Sequence, residues 1–484
     1  MKRLYPLFRA LSLIVFMFGL TMLLPVSLSW YLQDGAEMSF AISMGITLGV
    51  ALGIWLLTRR DKRELKIRDG FLIVVLVWTA LPAFATLPLM IQLGTSFTDA
   101  YFECVSGLTT TGATVLSGLD ELPPSINLWR AQLIWLGGMG LIVLAVAILP
   151  LLGIGGRQMF KAETPGPMKD SKMTPRIAQT AKGLWGVYAL FTLACTLAFW
   201  WAGMTFFDAV VHGFSTMGLG GFSSHDASFG HFDSPLIEAI TIFFMLLAGF
   251  NFATHFKALA SGSFQPYRHD PEARWFLFTM FASILGIMLF LQVHGVYGSF
   301  FEALRYTAFN VVSVATTTGF GNTDFGLWPV FAPLWMLFLA NFVTCAGSTG
   351  GGIKMIRTII LYKQLYRELV RAIHPNVVYP VKVGRQIIQG NILFSVLAFA
   401  FVYMSCYVAM TLLLLFSGLD PLSSLSAIAA CISNTGHGLN LVGPSTTYAV
   451  LTDFQTWVCT LSMLLGRLEI FTLLVVLTPA FWRK

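Results

Sequence analysis

Apolar stretches long enough to cross a lipid bilayer recur along the whole chain, from Leu11–Trp30 near its start to 452–480 near its end. A helix needs about 20 predominantly apolar residues to traverse roughly 30 Å of hydrocarbon. Stretches at 11–30, 40–57, 70–93, 127–150, 184–204, 235–256, 275–294, 328–350, 389–416 and 452–480 together predict ten spans. The first has a basic start like a secretory signal, but it is longer than a signal core and shows no clear small-residue cleavage site. It therefore reads as a helix paired with 40–57 in an N-terminal hairpin. Only 11% of the 484 residues are charged and 56% are hydrophobic, against about 25% charged in soluble domains, so a soluble globular fold is excluded.

Lys and Arg gather at the N-terminus, in RRDKRELKIRD (59–69), at 157–182, 257–274 and 354–385, and in the C-terminal WRK. Arg130, Arg305 and Arg467 stand outside these clusters, while the opposite loops carry Asp34, Glu37, Asp120, Glu121, Asp226, Asp233 and Asp324. Positive charge marks the cytoplasmic side, so both termini are expected there, and the net charge of +7 reflects orientation rather than nucleic-acid binding. The six cysteines lie in apolar segments without C-x-x-C spacing, which reads as core packing rather than a disulfide framework or zinc site. The sequence has no paired carboxylates, Ser-His pair or H-E-x-x-H motif. Neither an enzyme nor a cofactor is expected.

Between paired spans lie four segments too short or too polar to cross: FTDAYFECVSGLTTTGATV, FFDAVVHGFSTMGLGGF, FFEALRYTAFNVVSVATTTGFGNT and DPLSSLSAIAACISNTGHGLN. Taking Gly112, Gly218, Gly319 and Gly436 as their central glycines gives intervals of 106, 101 and 117 residues, a period that marks a repeated structural unit. Each unit reads as span, half-crossing helix, loop, span. Asp99, Asp208, Glu302 and Asp420 are expected where the short helices begin, capping free N–H groups and complementing the helix dipole. Glu302 and Arg305 have the spacing of an i, i+3 pair. Glu103, on the first short helix, reads as structural, and His212, His255 and His294 read as packed or interfacial.

Lipid cannot satisfy irregular backbone, which survives at membrane depth only where it is buried in protein or lines a water-filled cavity. Four such loops imply a shared central pore. Potassium channels arrange four T-V-G-Y-G loops so that backbone carbonyls replace the ion's hydration shell. The corresponding strings here are Thr110-Thr111-Gly112-Ala113-Thr114, Thr216-Met217-Gly218-Leu219-Gly220, Thr317-Thr318-Gly319-Phe320-Gly321 and Asn434-Thr435-Gly436-His437-Gly438. Their first three residues are the candidate ion ligands, with glycine required where carbonyls converge on a narrow axis. Ala113, Thr114 and His437 make the outer part of such a filter wider or less regular.

Below the filter, the last span of the third unit is interrupted by Ala346-Gly347-Ser348-Thr349-Gly350-Gly351-Gly352-Ile353-Lys354. So much glycine breaks a helix. The string does not match a phosphate-binding G-x-x-x-x-G-K-[ST] loop. Two readings remain: a flexible kink, or a gate of small residues lying across the pore and joined to the basic helix that follows. Arg467 lies inside the final span near Glu469, where a charge is costly unless it faces protein or water. It reads either as half of an ion pair anchoring helices or as a positive group facing the path and touching the gate. Glu469 is expected to partner backbone or a basic side chain.

With the four filter strings, the N-terminal hairpin, NFVTCAGSTGGGIK (341–354) and GRLEIF (466–471) in place, nearly the whole chain resembles the Trk/Ktr/HKT superfamily of potassium transporters, in its bacterial branch. That resemblance implies an all-α polytopic inner-membrane protein. Its four pseudo-symmetric span, pore-helix, filter-loop, span repeats would surround a central pore and be preceded by a two-helix hairpin. It also implies a homodimer with a pore in each subunit, and a cytoplasmic nucleotide-binding regulator, TrkA. In the plant branch a Ser at the first filter glycine goes with sodium preference, so Gly112 implies potassium. The expected units are 1–69 (hairpin), 70–156, 183–262, 273–374 (with the gate loop) and 386–484. The gating set is Gly347, Ser348, Thr349, Gly350, Gly351, Gly352 and Arg467. Channel-like potassium uptake is the leading expectation, and a potassium/proton or potassium/sodium symporter using alternating access is the alternative.

Overall fold

The computed structural model describes residues 4–61, 65–140, 177–384 and 386–483. Six helices within them are long and apolar enough to cross a membrane: Tyr5–Leu32, Glu37–Thr58, Arg68–Leu93, Ala181–Trp201, Pro271–Val293 and Gly390–Phe416. Two more spans are bent pairs, Pro235–Gly249 with Phe252–Ser261 at 97° and Asp453–Arg467 with Phe471–Leu477 at 110°. The other two of the ten expected spans are helical over only part of their described length. The stretch at 328–350 is helical only over Phe331–Ala340. The stretch at 127–150 begins as Pro124–Trp135 and passes into a wider turn at Leu136–Gly140. Its second half, and most of the basic segment 157–182, lie outside the described residues.

Four short helices alternate with the spans: Phe97–Leu108, Phe206–Gly218, Phe300–Ala315 and Pro421–Ser433. Their starts explain the recurring acids, with a change of position. Ser96 and Thr205 cap the first two helices and accept from the N–H of Asp99 and Asp208, while those carboxylates accept from the Ser96 and Thr205 hydroxyls at 2.8 and 2.7 Å. Only Asp420 is itself the cap, bonding the Ser423 N–H at 2.9 Å. Glu302 follows Ser299 at the third position and does not pair with Arg305, whose guanidinium reaches Glu238 and Asp233 at 2.8 Å. Among the described residues the only strand pairing is a two-residue ladder joining Lys382–Val383 to Gln386–Ile387.

The N-terminal hairpin packs on the first repeat. Gln132 donates to the Thr21 carbonyl (2.8 Å), Ser39 donates to Gln92 (2.7 Å), and the buried Trp129 ring meets Phe18 and Phe40. Outward faces carry Phe278, Phe281, Phe394 and Phe401, with Trp30, Tyr31, Trp200 and Trp201 exposed at helix ends. Apolar flanks with aromatic ends are what a bilayer selects. The arginine at 130, which departs from the charge pattern, is buried and paired with Glu103 at 2.8 Å. That carboxylate also accepts from the Thr114 hydroxyl and the Val115 N–H, so the pair braces the loop after the first short helix. All six cysteines are free thiols.

Candidate functional site

Each short helix ends in the same backbone turn. One residue swings into the left-handed region: Thr110 (φ 57°), Leu219 (53°), Thr317 (62°) and Asn434 (58°). Its N–H bonds the carbonyl three residues back and the next N–H bonds the carbonyl five back, as in Thr110 to Gly107 and Thr111 to Ser106. The same two bonds recur from Leu219 and Gly220, from Thr317 and Thr318, and from Asn434 and Thr435. This shared turn fixes the register between repeats and places Gly112, Gly221, Gly319 and Gly436 at equivalent positions. The choice of Gly218 is thus displaced. Thr216, Met217 and Gly218 form the last turn of the second short helix, where Gly218 packs closely against the Ile134 backbone.

The four equivalent glycines close a ring. A Cβ at Gly112 would collide with the Gly221 backbone, one at Gly221 with the Gly319 carbonyl, and one at Gly319 with the Thr435 carbonyl. One at Gly436 would lie 2.5 Å from the Thr111 oxygen. Each loop abuts the next, and the fourth returns to the first. Glycine is needed twice over at Gly112, Gly319 and Gly436, whose φ values of 79°, 83° and 92° also disfavour a side chain. Behind the ring, hydroxyls pair in three loops: Thr109 with Thr111 and Thr316 with Thr318 at 2.7 Å, and Ser433 with Thr435 at 2.8 Å. The second loop has Gly218 and Gly220 at those places, so its hydroxyl pair is missing.

The interrupted segment of the third repeat passes directly beneath these turns. Thr349 donates to the Met217 carbonyl (3.1 Å), and a Cβ at Gly350 would lie 3.0 Å from the Thr316 oxygen. The Gly351 N–H meets the Thr317 hydroxyl at 2.9 Å, and Gly351 also lies against Ser433 and Asn434. Arg467 supplies the contact with the first repeat, donating to the Thr110 hydroxyl (3.2 Å), the Thr349 carbonyl (2.9 Å) and the carbonyls of Gly137 and Gly138. The segment therefore touches three repeats directly and the fourth through one guanidinium. Of the two readings for the glycine-rich string, a free kink does not describe this placement, because nearly every residue is hydrogen-bonded or packed against backbone.

Two shoulders hold the segment. Glu272, at the start of the third outer helix, accepts from the N–H groups of both Ala346 and Ile356 through one oxygen, at 2.9 and 3.0 Å. The broken inner helix of the second repeat docks by backbone, Cys345 N–H to the Gly249 carbonyl (3.1 Å) and Phe252 N–H to the Gly347 carbonyl (3.0 Å). Ser348 turns back to bond the Cys345 carbonyl (2.7 Å), and Gly347 and Gly352 occupy positive φ values of 76° and 75°. The buried Lys354 ammonium bonds the Gly350 carbonyl. Arg357 pairs with Glu469 at 2.7 Å and lies over the Phe399 ring.

The sequence missed Gly221, Glu272 and Lys354 as members of this constellation. The glycine-rich string G-L-G-G was the available signal for Gly221, since it offers three candidates for one place. Glu272 had none, because an acid just after a proline at a helix start reads as ordinary capping. His212, His255 and His294 hydrogen-bond within the protein, to Asp208 and Ser223, to Tyr267 and Leu247, and to Phe290.

Known proteins share this architecture at full length. The profile of the TrkH family, described as a cation transport protein, matches residues 36–484. The chain is 49% identical over 480 residues to the Trk system potassium uptake protein TrkH of Vibrio parahaemolyticus, covering 98% of this chain and 99% of the relative. It is 45% identical over 478 residues to TrkH of Escherichia coli, with the same coverage, and 38% identical over 476 residues to TrkG of that organism, covering 97% of each. The crystal structure of the potassium transporter TrkH from Vibrio parahaemolyticus superimposes with a TM-score of 0.89 at 46% identity, covering 99% of both chains. The chain is thus a multi-pass membrane protein and belongs to the TrkH family of cation transport proteins.

Proposed function

We propose that this chain takes up potassium through a channel-like path along the axis of the four-loop ring. The observation that carries this reading is the cyclic packing of Gly112, Gly221, Gly319 and Gly436 at the C-terminal ends of four short helices. Carbonyls gathered there substitute for the ion's hydration shell, and each helix directs the negative end of its dipole toward the ring. The ligand set becomes Thr110, Thr111 and Gly112; Leu219, Gly220 and Gly221; Thr317, Thr318 and Gly319; and Asn434, Thr435 and Gly436. Entry requires no chemical step, since the membrane potential contributes about 2.3 kcal/mol per charge per 100 mV.

In this reading the four pore units span 70–156, 183–262, 273–374 and 386–484, and both termini are cytoplasmic. The segment from Gly347 to Gly352 is a gate held closed by Arg467, and its guanidinium adds a positive barrier to cations. Below it, the helix Met355–Ile373 exposes Tyr362, Leu365, Tyr366, Leu369 and Ile373. Those positions share one helical face, and an apolar stripe on a basic helix suits a second copy of the chain and a nucleotide-binding regulator of the TrkA type.

The test is flux from purified protein in liposomes under potassium gradients, with sodium substitution and Gly112→Ser in the same assay. Current reversing near the potassium equilibrium potential, with weaker selectivity in the variant, is expected. Potassium movement that occurs only with a proton or sodium gradient would replace this reading by coupled transport.

A further inference from the structure

Away from the ring, three side chains from two repeats converge on the outer loops. Asp120 follows the first ring loop, His225 follows the second, and His231 ends the one-turn helix Ser228–His231. One oxygen or nitrogen from each lies within 4.8 Å of the other two. The Asp120 carboxylate is held in place by the Asp226 N–H at 3.1 Å, leaving its other oxygen against His225 Nδ1. The two imidazoles lie face to face, centroids 3.5 Å apart and planes 4° apart, with the Phe232 ring standing edge-on to both.

The far side of His225 supplies a second, independent observation. Its Nε2 lies 3.2 Å from the Asp208 carboxylate, which is itself anchored by the hydroxyls of Thr205 and Ser224 at 2.7 Å. A metal-bound histidine characteristically donates its remaining N–H to such a carboxylate, which fixes the tautomer and raises the basicity of the ligating nitrogen. Here Nδ1 faces the Asp120 carboxylate while Nε2 faces that of Asp208. Two imidazoles and a carboxylate suit zinc and its first-row neighbours rather than magnesium or calcium. With zinc–ligand bonds near 2.0–2.2 Å, donors on one ion sit about 3.3 Å apart. Because the two imidazoles are stacked and parallel, their in-plane lone pairs run side by side, so binding one ion requires the exposed His231 ring to rotate out of the stack as the donors close inward.

We propose that Asp120, His225 and His231 bind a first-row divalent cation, zinc foremost, with water completing the coordination, and that the ion pins the outer loops of the first and second repeats together. The loop carrying His231 also bonds the third repeat, Phe229 N–H to the Gly321 carbonyl at 2.9 Å, two residues beyond Gly319. A dication there stiffens the entrance and places positive charge beside it, so external zinc slows potassium entry. This last consequence rests on the function proposed above, whereas zinc binding does not.

The experiment titrates zinc chloride into the purified full-length protein by calorimetry, with thermal unfolding in parallel, for wild type, His231→Gln and Asp120→Asn. The expected result is one zinc per chain at micromolar affinity and a raised Tm in the wild type, with at least tenfold weaker binding in each variant. Both variants, assayed without zinc, should retain wild-type potassium flux, which shows that they fold. Absence of wild-type binding, or equal affinity in both folded variants, overturns the site. Triad-dependent binding that leaves potassium flux unchanged in zinc-treated liposomes overturns the effect on entry.

Discussion

A methyl group is the smallest probe of the ring. At Gly221 it would overlap the Gly319 carbonyl, so Gly221→Ala is expected to weaken potassium selectivity at least as much as Gly112→Ser, measured in the same liposomes. Thr216→Ser is expected to leave selectivity unchanged, because Thr216 belongs to the helix rather than the loop. A loss of selectivity in Thr216→Ser with Gly221→Ala behaving as wild type would restore the register read from the sequence. Three of the four central glycines were legible because a Thr or Asn stands two residues before each and positive φ demands glycine there. The second loop hid its own, since Leu219 takes the left-handed position usually filled by a small or polar residue and glycines flank it on both sides. Motif matching sees residue types, whereas the turn is defined by which N–H groups find carbonyls.

Three inner helices are broken within the described residues and the first passes into a wider turn, yet only one of these interruptions was visible in the sequence. The third repeat announces its own with four glycines between 347 and 352, but the others rest on one or two. Gly137 lies against the Leu108 carbonyl and Gly466 against the Ile432 carbonyl, so the wider turn of the first inner helix and the break of the fourth both lie where an inner helix touches the end of a short one. That contact is tertiary and leaves no periodic trace. Just below Arg467, Glu469 and Ile470 hold φ values of 51° and 54°, a costly conformation for a β-branched residue that the surrounding packing must enforce. If the segment beneath the ring is a gate, its two anchors set its closed population. Arg467→Ala and Glu272→Ala should each raise potassium flux roughly tenfold, the effect of losing charge-assisted hydrogen bonds worth about 1.5–3 kcal/mol, without altering the preference for potassium over sodium. Unchanged flux in both would remove the gate from the proposal.

The N-terminal hairpin, legible from hydropathy alone, is tied to the transport body by one carboxylate that was not. Asp34, read from the sequence as an ordinary outer-loop acid, accepts from the Ser125 N–H at 2.9 Å and the Ala36 N–H at 3.2 Å, and from the Ser29 hydroxyl. Burial alone would raise its pKa, but these hydrogen bonds outweigh it and hold the carboxyl below its ordinary value. A lowered folded pKa contributes stability above the ordinary aspartate range that is lost as the pH falls through the folded value. Asp34→Asn should therefore lower stability by about 1 kcal/mol near neutrality, and the gap to wild type should close in acid, as followed by Tm in detergent. A further consequence concerns biosynthesis. The ring is completed by a bond between distant parts of the chain, Asn434 to the Thr111 hydroxyl across 323 positions, and the neighbouring Tyr448 N–H joins the Thr114 carbonyl. The ribosome delivers these partners tens of seconds apart, at most about a minute, at about 5–20 residues per second. Until the last quarter has been translated and inserted, the first loop stands in the membrane with one flank unsealed, so the nascent chain depends on timing and on its membrane surroundings in a way that four identical subunits assembling after synthesis would not.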